Sequence, residues 1–146
     1  MERAILTNMC MVEDAQGRLL VQKRNDPGWP GLVFPGGHVE PNESFTASVI
    51  REVWEETGIQ VEHPVLCGVK QFYTESGERY IVFMYRAKVE GGEARSSSEG
   101  EAFWIHREDM PKYEWVSTFD TMWKIFENPD ITEHYRNPFT DEIELY

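Results

Sequence analysis

At 146 residues the chain is the size of one domain and long enough to bury a core of its own. Its 26 acidic against 14 basic residues leave a formal net charge of −12. That field repels duplex nucleic acid and argues against a nucleic-acid polymer as partner, whereas a small anion can bind where a metal or local cations override the mean.

No apolar run reaches the length of a membrane span, so no membrane partner is expected. The N-terminal MERAILTNMC lacks the basic, apolar and small-residue regions of a signal peptide, which makes the cytoplasm the expected compartment. Cys10 and Cys67 both have apolar neighbours and are expected as buried free thiols rather than a disulfide.

In chain order, Ala4 to Val12 is apolar and β-compatible, Glu13 to Arg18 with Gly17 reads as a turn, and Leu19 to Lys23 resumes a strand. The two strands are expected to pair as a hairpin. Asn25 to Gly31 (NDPGWPG) is a Pro/Gly-rich loop, and Leu32 to Phe34 a short strand ended by Pro35, Gly36 and Gly37. A helix is expected from Ser44, a plausible N-cap, to Gly58, a left-handed C-cap. Its apolar arc is Val49, Ile50, Val53 and Trp54, which can face a sheet.

Val65 to Thr74 and Arg79 to Val89 read as two longer strands around a turn at Glu75 to Glu78. Gly91 to Gly100 is loop-like, Ala102 to His106 a further strand, and His106 to Lys112 one helical turn. Phe119, Met122, Trp123 and Phe126 space a second amphipathic helix over Thr118 to Glu127. The remaining segment, Asn128 to Tyr146, reads as a tail whose EIELY end could be an edge strand. Strands outnumber helices, which suits an α+β fold, an α/β/α sandwich with a mixed central sheet between helices, in a single domain over 1–146.

Chemistry concentrates between Gly37 and Ile59. Glu52, Glu55 and Glu56 stand at i, i+3 and i+4 and therefore share one helical face. Carboxylates that close repel one another unless a cation neutralises them. Oxygen ligands without His or Cys suit a hard ion such as Mg²⁺ or Mn²⁺, which usually completes its shell with water and substrate phosphates. From the residues alone, a metal-dependent phosphate-processing enzyme is the expectation.

The segment resembles the Nudix box, G-x5-E-x7-R-E-U-x-E-E-x-G-U with U aliphatic. Gly37, Glu43, Arg51, Glu52, Val53, Glu55, Glu56, Gly58 and Ile59 fill every defined position of residues 37–59. The resemblance implies the Nudix sandwich and hydrolysis of a nucleoside diphosphate linked to another group, with Mg²⁺ as cofactor and Mn²⁺ as substitute. It implies metal binding by Glu52, Glu55 and Glu56, by the Gly37 carbonyl, and by a loop carboxylate, for which Glu99 and Glu101 are candidates and Glu101 is preferred. Glu52 is the first choice for also polarising the water. Arg51 is expected to bridge Glu43 and a catalytic carboxylate, a task for a bidentate guanidinium.

Substrate contacts are expected from Arg24 to phosphate and from Phe34 to the base, with Asn8 as an amide that could read a purine edge. Trp29, Trp115 and Phe119 are looser aromatic candidates. His38 follows the PGG turn and could touch phosphate. The compact chain and its FPGGH entry to the box resemble the MutT-like branch, for which an oxidised nucleoside triphosphate such as 8-oxo-dGTP is the implied substrate. Dinucleoside polyphosphate and ADP-ribose remain alternatives. ADP-ribose enzymes often carry a proline about where Thr74 and Glu75 stand here. A nucleotide-sensing domain that does not cleave is a further alternative. Both a monomer and a homodimer are open.

Overall fold

A computed structural model describes residues Met1–Tyr146. Eight strands form one mixed sheet: β1 (Ala4–Glu13), β2 (Arg18–Arg24), β3 (Leu32–Val33), β4 (Val65–Tyr73), β5 (Arg79–Lys88), β6 (Gly100–His106), β7 (Glu133–Arg136) and β8 (Ile143–Leu145). Their order is β3-β2-β1-β5-β4-β7-β8, with β6 also on β2. The β1–β5 and β4–β7 pairs are parallel and the others antiparallel. Helix α1 (Phe45–Thr57) covers one face and α2 (Phe119–Glu127) the other. The α+β sandwich expected from the sequence is therefore the fold.

One irregularity of pairing makes room for the site. β2 pairs with β6 from Arg18 to Arg24, yet it meets β1 only at Glu13↔Leu19. Beyond that point β1 and β2 splay apart, and the chain that follows β3 runs into the gap. Cys10 N–H donates to the Pro35 carbonyl, Asn8 N–H to that of Gly37, and Val39 N–H to that of Leu6, each at 2.9 Å. The Pro35–Val39 segment thus occupies the free edge of β1 and satisfies backbone groups that would otherwise be orphaned.

α1 begins where Ser44 Oγ accepts from Ala47 N–H at 3.0 Å. It ends at Gly58, whose φ of 73° is the left-handed region that glycine enters without penalty. Val49 and Val53 are buried against Cys10, Val12, Leu20 and Tyr85. Trp54, expected in that apolar arc, instead lies exposed with the Arg95 guanidinium 4.8 Å from its ring centroid. The arc is narrower than its sequence suggests because the indole finds a cation at the surface.

On the opposite face Phe119, Met122, Ile125 and Phe126 of α2 close the larger core over Met9, Met11, Val21 and Met84. The segment expected as a tail contains β7, which extends β4 in parallel and pairs with β8. Its residues, EHYR, are polar and too few to alternate, so pairing with neighbours makes them a strand. Cys10 and Cys67 are free thiols, and no helix is long and apolar enough to cross a membrane.

Candidate functional site

Close approach of backbone to side chain builds the site. A Cβ on Gly36 would overlap the Asn8 carbonyl, and one on Gly37 would overlap the Glu52 carboxylate. Only glycine therefore lets the Pro35–Val39 segment lie between β1 and α1. Gly36 N–H donates to Glu56 Oε2 at 3.2 Å, and Gly37 N–H to Asn8 Oδ1 at 3.1 Å.

Arg51 is the hub of the acidic end. Its Nε and Nη2 donate to the two oxygens of Glu43 at 3.0 and 2.7 Å. Nη1 donates to Glu52 at 2.8 Å and to Glu55 at 3.1 Å, and Nη2 also reaches the His38 carbonyl at 3.0 Å. A planar, forked guanidinium satisfies this set, which a lysine could not. Hydrogen bonds from Arg51 hold the Glu43 carboxyl down at about 2.

The Glu52 and Glu56 carboxyls move the other way. Burial raises both, Glu56 to about 8, and the charges of Glu52 and Glu99 push Glu56 further in the same direction. Glu56 is 8 % exposed, and the Gly36 N–H opposes the shift without cancelling it. A carboxylate crowded by like charges at a cavity wall is stabilised by a cation.

The donors fit such an ion in kind. Glu52, Glu56 and Glu99 supply oxygen only, which suits a hard divalent cation, and they border a cavity with room for water and phosphate oxygens. They do not form a closed cage: no three acidic, His or Cys side chains converge in ligating geometry. Arg51 draws Glu55 and Glu52 toward itself, and Gly36 holds Glu56.

The cavity measures about 630 Å³, within the range of small-molecule sites. Gly37, Glu52, Glu56, Arg24, Phe34 and Asn8 line it, and Arg51 ties Glu43 and Glu55 to it from behind. Three expectations need correction. Glu101 does not face the cavity; Glu99 does. β6 begins at Gly100, packed against the Lys23 carbonyl, and Glu101 then pairs with Lys23 as an exposed strand residue.

Asn8 serves the fold before any base. Its amide nitrogen donates to Ser48 Oγ at 2.9 Å and its oxygen accepts from Gly37, so it fastens the glycine segment to α1. Phe34 reaches the cavity wall, but its ring belongs to the core. It is 2 % exposed and packs edge-on against Phe119 at 5.3 Å and Phe126 at 5.2 Å between ring centroids. The Gly37 carbonyl already accepts from Asn8 N–H, which leaves one lone pair for another partner.

The NUDIX domain family model matches residues 5–123. The chain belongs to the Nudix family. It is 41% identical over 96 residues to a MutT-like protein of Streptomyces ambofaciens, covering 64% of this chain and 58% of that one. It is 29% identical over 105 residues to a putative 8-oxo-dGTP diphosphatase of Bacillus subtilis (strain 168), covering 70% and 66%. The chain thus spans about three fifths to two thirds of the length of these relatives. Among solved structures, a mutator MutT protein from Bacillus halodurans superposes with a TM-score of 0.72 at 25% identity, over 97% of both chains.

Within this Nudix site, Gln22, Lys70, Phe72 and Tyr80 also line the cavity, and sequence reasoning missed them. Each is one residue of a strand with no motif around it. The available signal was weak: Gln22 follows the apolar run Leu19–Val21 and Lys70 follows Val69, but both strands carry other polar residues as well.

Proposed function

We propose that residues 1–146 form one Nudix pyrophosphohydrolase domain that cleaves a nucleoside triphosphate, of the oxidised 8-oxo-dGTP type, to the monophosphate and pyrophosphate. The observation that carries this reading is the Arg51 network. One guanidinium orders Glu43, Glu52 and Glu55 beside a buried Glu56, at the wall of a nucleotide-sized cavity. The MutT-like and 8-oxo-dGTP names of the relatives support the choice of substrate class. No box carboxylate is missing, as would be expected in a domain that only senses nucleotides. The free thiols agree with a reducing compartment such as the cytoplasm.

Glu52, Glu56 and Glu99 would hold a divalent cation, Mg²⁺ or Mn²⁺, with Glu55 released from Arg51 to join them. When bound, the ion supplies charge neutralisation on the phosphates and acidifies a bound water. This chain's own residues do the rest. Arg24 ends β2 at the cavity, and its Nε is buried without a partner, which suits a phosphate oxygen. Glu56 lines the cavity with the Gly36 N–H as its one hydrogen-bond partner, and once a cation holds it ionised its free oxygen would accept the proton of the attacking water. For this role Glu56 is preferred to Glu52, the residue expected from the sequence. Glu52 is bound to Arg51, whereas Glu56 has only the Gly36 N–H to satisfy it. Arg51 and Glu43 orient the helix face and touch no substrate.

The test is hydrolysis of plain and oxidised nucleoside triphosphates, ADP-ribose and dinucleoside polyphosphates with Mg²⁺, with products identified by chromatography. Monophosphate and pyrophosphate from a triphosphate are expected, and chelator should abolish turnover. Orthophosphate as the first product, or full activity after exhaustive chelation, would defeat the reading.

A further inference from the structure

The acidic end of the cavity accounts for phosphate; its other end holds a cation without a partner. Lys70 lies across the sheet from β1. Thr7 pairs with Val82 and Val82 with Lys70, while Ile5 pairs with Tyr80 and Tyr80 with Phe72. Directly paired residues share a sheet face, so Thr7, Val82, Lys70, Tyr80 and Phe72 form a continuous floor, and all five line the cavity. From the Gly37 segment to β4 is three strand spacings, roughly 15 Å. That distance places Lys70 where the nucleoside, not the pyrophosphate, of a substrate anchored at Glu52 and Glu56 would lie.

The surroundings of Lys70 are aromatic. Its ammonium is 5.5 Å from the ring centroids of both Trp29 and Phe72, and Phe72 stacks on Tyr80 at 4.9 Å. It forms no ion pair, although the chain has 26 carboxylate side chains. Burial pushes the amine down to about 8, with the Arg136 charge adding to the effect. A second donor in the same cavity is also unmet: Gln22 is 2 % exposed and its Nε2 has no partner. Buried donors left open at a cavity wall cost free energy unless a ligand fills them.

We propose that Lys70, set between Trp29 and Phe72 and joined by Gln22, selects the base, favouring one that presents an exocyclic oxygen over one that presents an amino group. The inference rests on the nucleotide-substrate reading above. Flat aromatic side chains offer faces for a planar ring. Lysine is donor-only, so an oxo group accepts from it, whereas an amino group sets donor against donor and leaves the ammonium unmet. Oxopurine and 4-oxopyrimidine nucleotides are therefore the favoured class, and adenine and cytosine nucleotides the disfavoured one.

The experiment compares inosine with adenosine triphosphate, and uridine with cytidine triphosphate, which exchange one oxygen for one amino group. Dissociation constants are read calorimetrically in chelator, where hydrolysis is off, and kcat/KM with Mg²⁺. The wild-type protein should favour the oxo member of each pair by about tenfold, the scale of one charge-assisted hydrogen bond. Lys70→Met should bring both ratios close to one, and Lys70→Gln, which keeps a donor without the charge, should give intermediate ratios even if the first variant folds poorly. Equal binding of both members by the wild type, or loss of both by the same factor in the variants, overturns the inference and leaves the hydrolase reading intact. An oxo preference that depends on Lys70 but without turnover sustains the inference and sinks the hydrolase. Failure to bind any nucleotide sinks both.

Discussion

Arg51 and Lys70 are both partly buried cations in a strongly acidic chain, and their surroundings are opposite. Arg51 has Glu43, Glu52, Glu55 and the His38 carbonyl within hydrogen-bond range. Lys70 has two aromatic rings and no carboxylate. The first is satisfied by the protein before a ligand arrives, with Glu43 and Glu52 held in place, and only Glu55 would have to leave it to join an ion. The second is left for the ligand to satisfy, which is the physical signature of recognition rather than of scaffolding.

The comparison breaks first at Glu56, where the largest effect is expected. Glu56→Gln removes a proton acceptor and a candidate ion ligand while preserving shape. It should lower kcat by on the order of 10² to 10⁴ with the circular dichroism spectrum unchanged. Wild-type turnover at saturating Mg²⁺ would remove Glu56 from the mechanism.

Phe34→Ala tests whether that ring belongs to the base or to the core. It packs against Phe119 and Phe126, with Trp115 and Trp123 around it, so its loss should cost about 3–5 kcal/mol of stability in denaturant unfolding. A rise in KM with stability intact would return Phe34 to the substrate. At Arg51, substitution by lysine keeps the charge but loses the fork. It should reduce kcat about 10- to 100-fold, as for other groups that orient ligating side chains, with KM little changed. Full activity in Arg51→Lys would show that charge alone suffices and that the bidentate contact with Glu43 is incidental.

What was legible follows the same division. The acidic helix could be read because i, i+3 and i+4 spacing fixes a face whatever the tertiary context, and Ser44 and Gly58 bound it chemically. For Arg51 it was the Nudix resemblance that implied a bridge between Glu43 and a catalytic carboxylate, and the guanidinium does contact Glu43 and Glu52. Lys70 and Gln22 could not be read this way. Lys70 meets Trp29, 41 positions away in sequence, only because β4 lies two strands from β1 and the Asn25–Gly31 loop folds over the cavity. β7 is illegible for a similar reason, since its identity comes from pairing with β4. Glu99 lies just before β6 and Glu101 within it, where alternation along the strand turns the side chain outward.

The smallest effect expected is on stability against pH, and it sharpens the comparison because Glu56 at the acidic end and His134, the strand neighbour of Lys70, titrate in opposite senses. Glu56 sits at about 8 in the native protein against an ordinary 4.5. Between those values the unfolded chain has released the proton and the folded one retains it, so stability falls as pH rises from 4.5 toward 8. His134, which pairs with Lys70 across β4 and β7, is pushed down to about 4 from 6.5, by burial first and then by the Lys70 charge. Its contribution is full above 6.5 and is lost as pH falls toward 4. The two slopes cancel between 4.5 and 6.5, leaving Glu56 alone above that window and His134 alone below it. The melting temperature of Glu56→Gln minus that of the wild type, both free of metal, isolates the first term. It should be least near pH 4.5 and grow toward pH 8, where added Mg²⁺ should raise the Tm of the wild type more than that of the variant. A difference that stays flat across this range would mean that Glu56 ionises as an ordinary carboxylate and that no cation is needed to keep it charged.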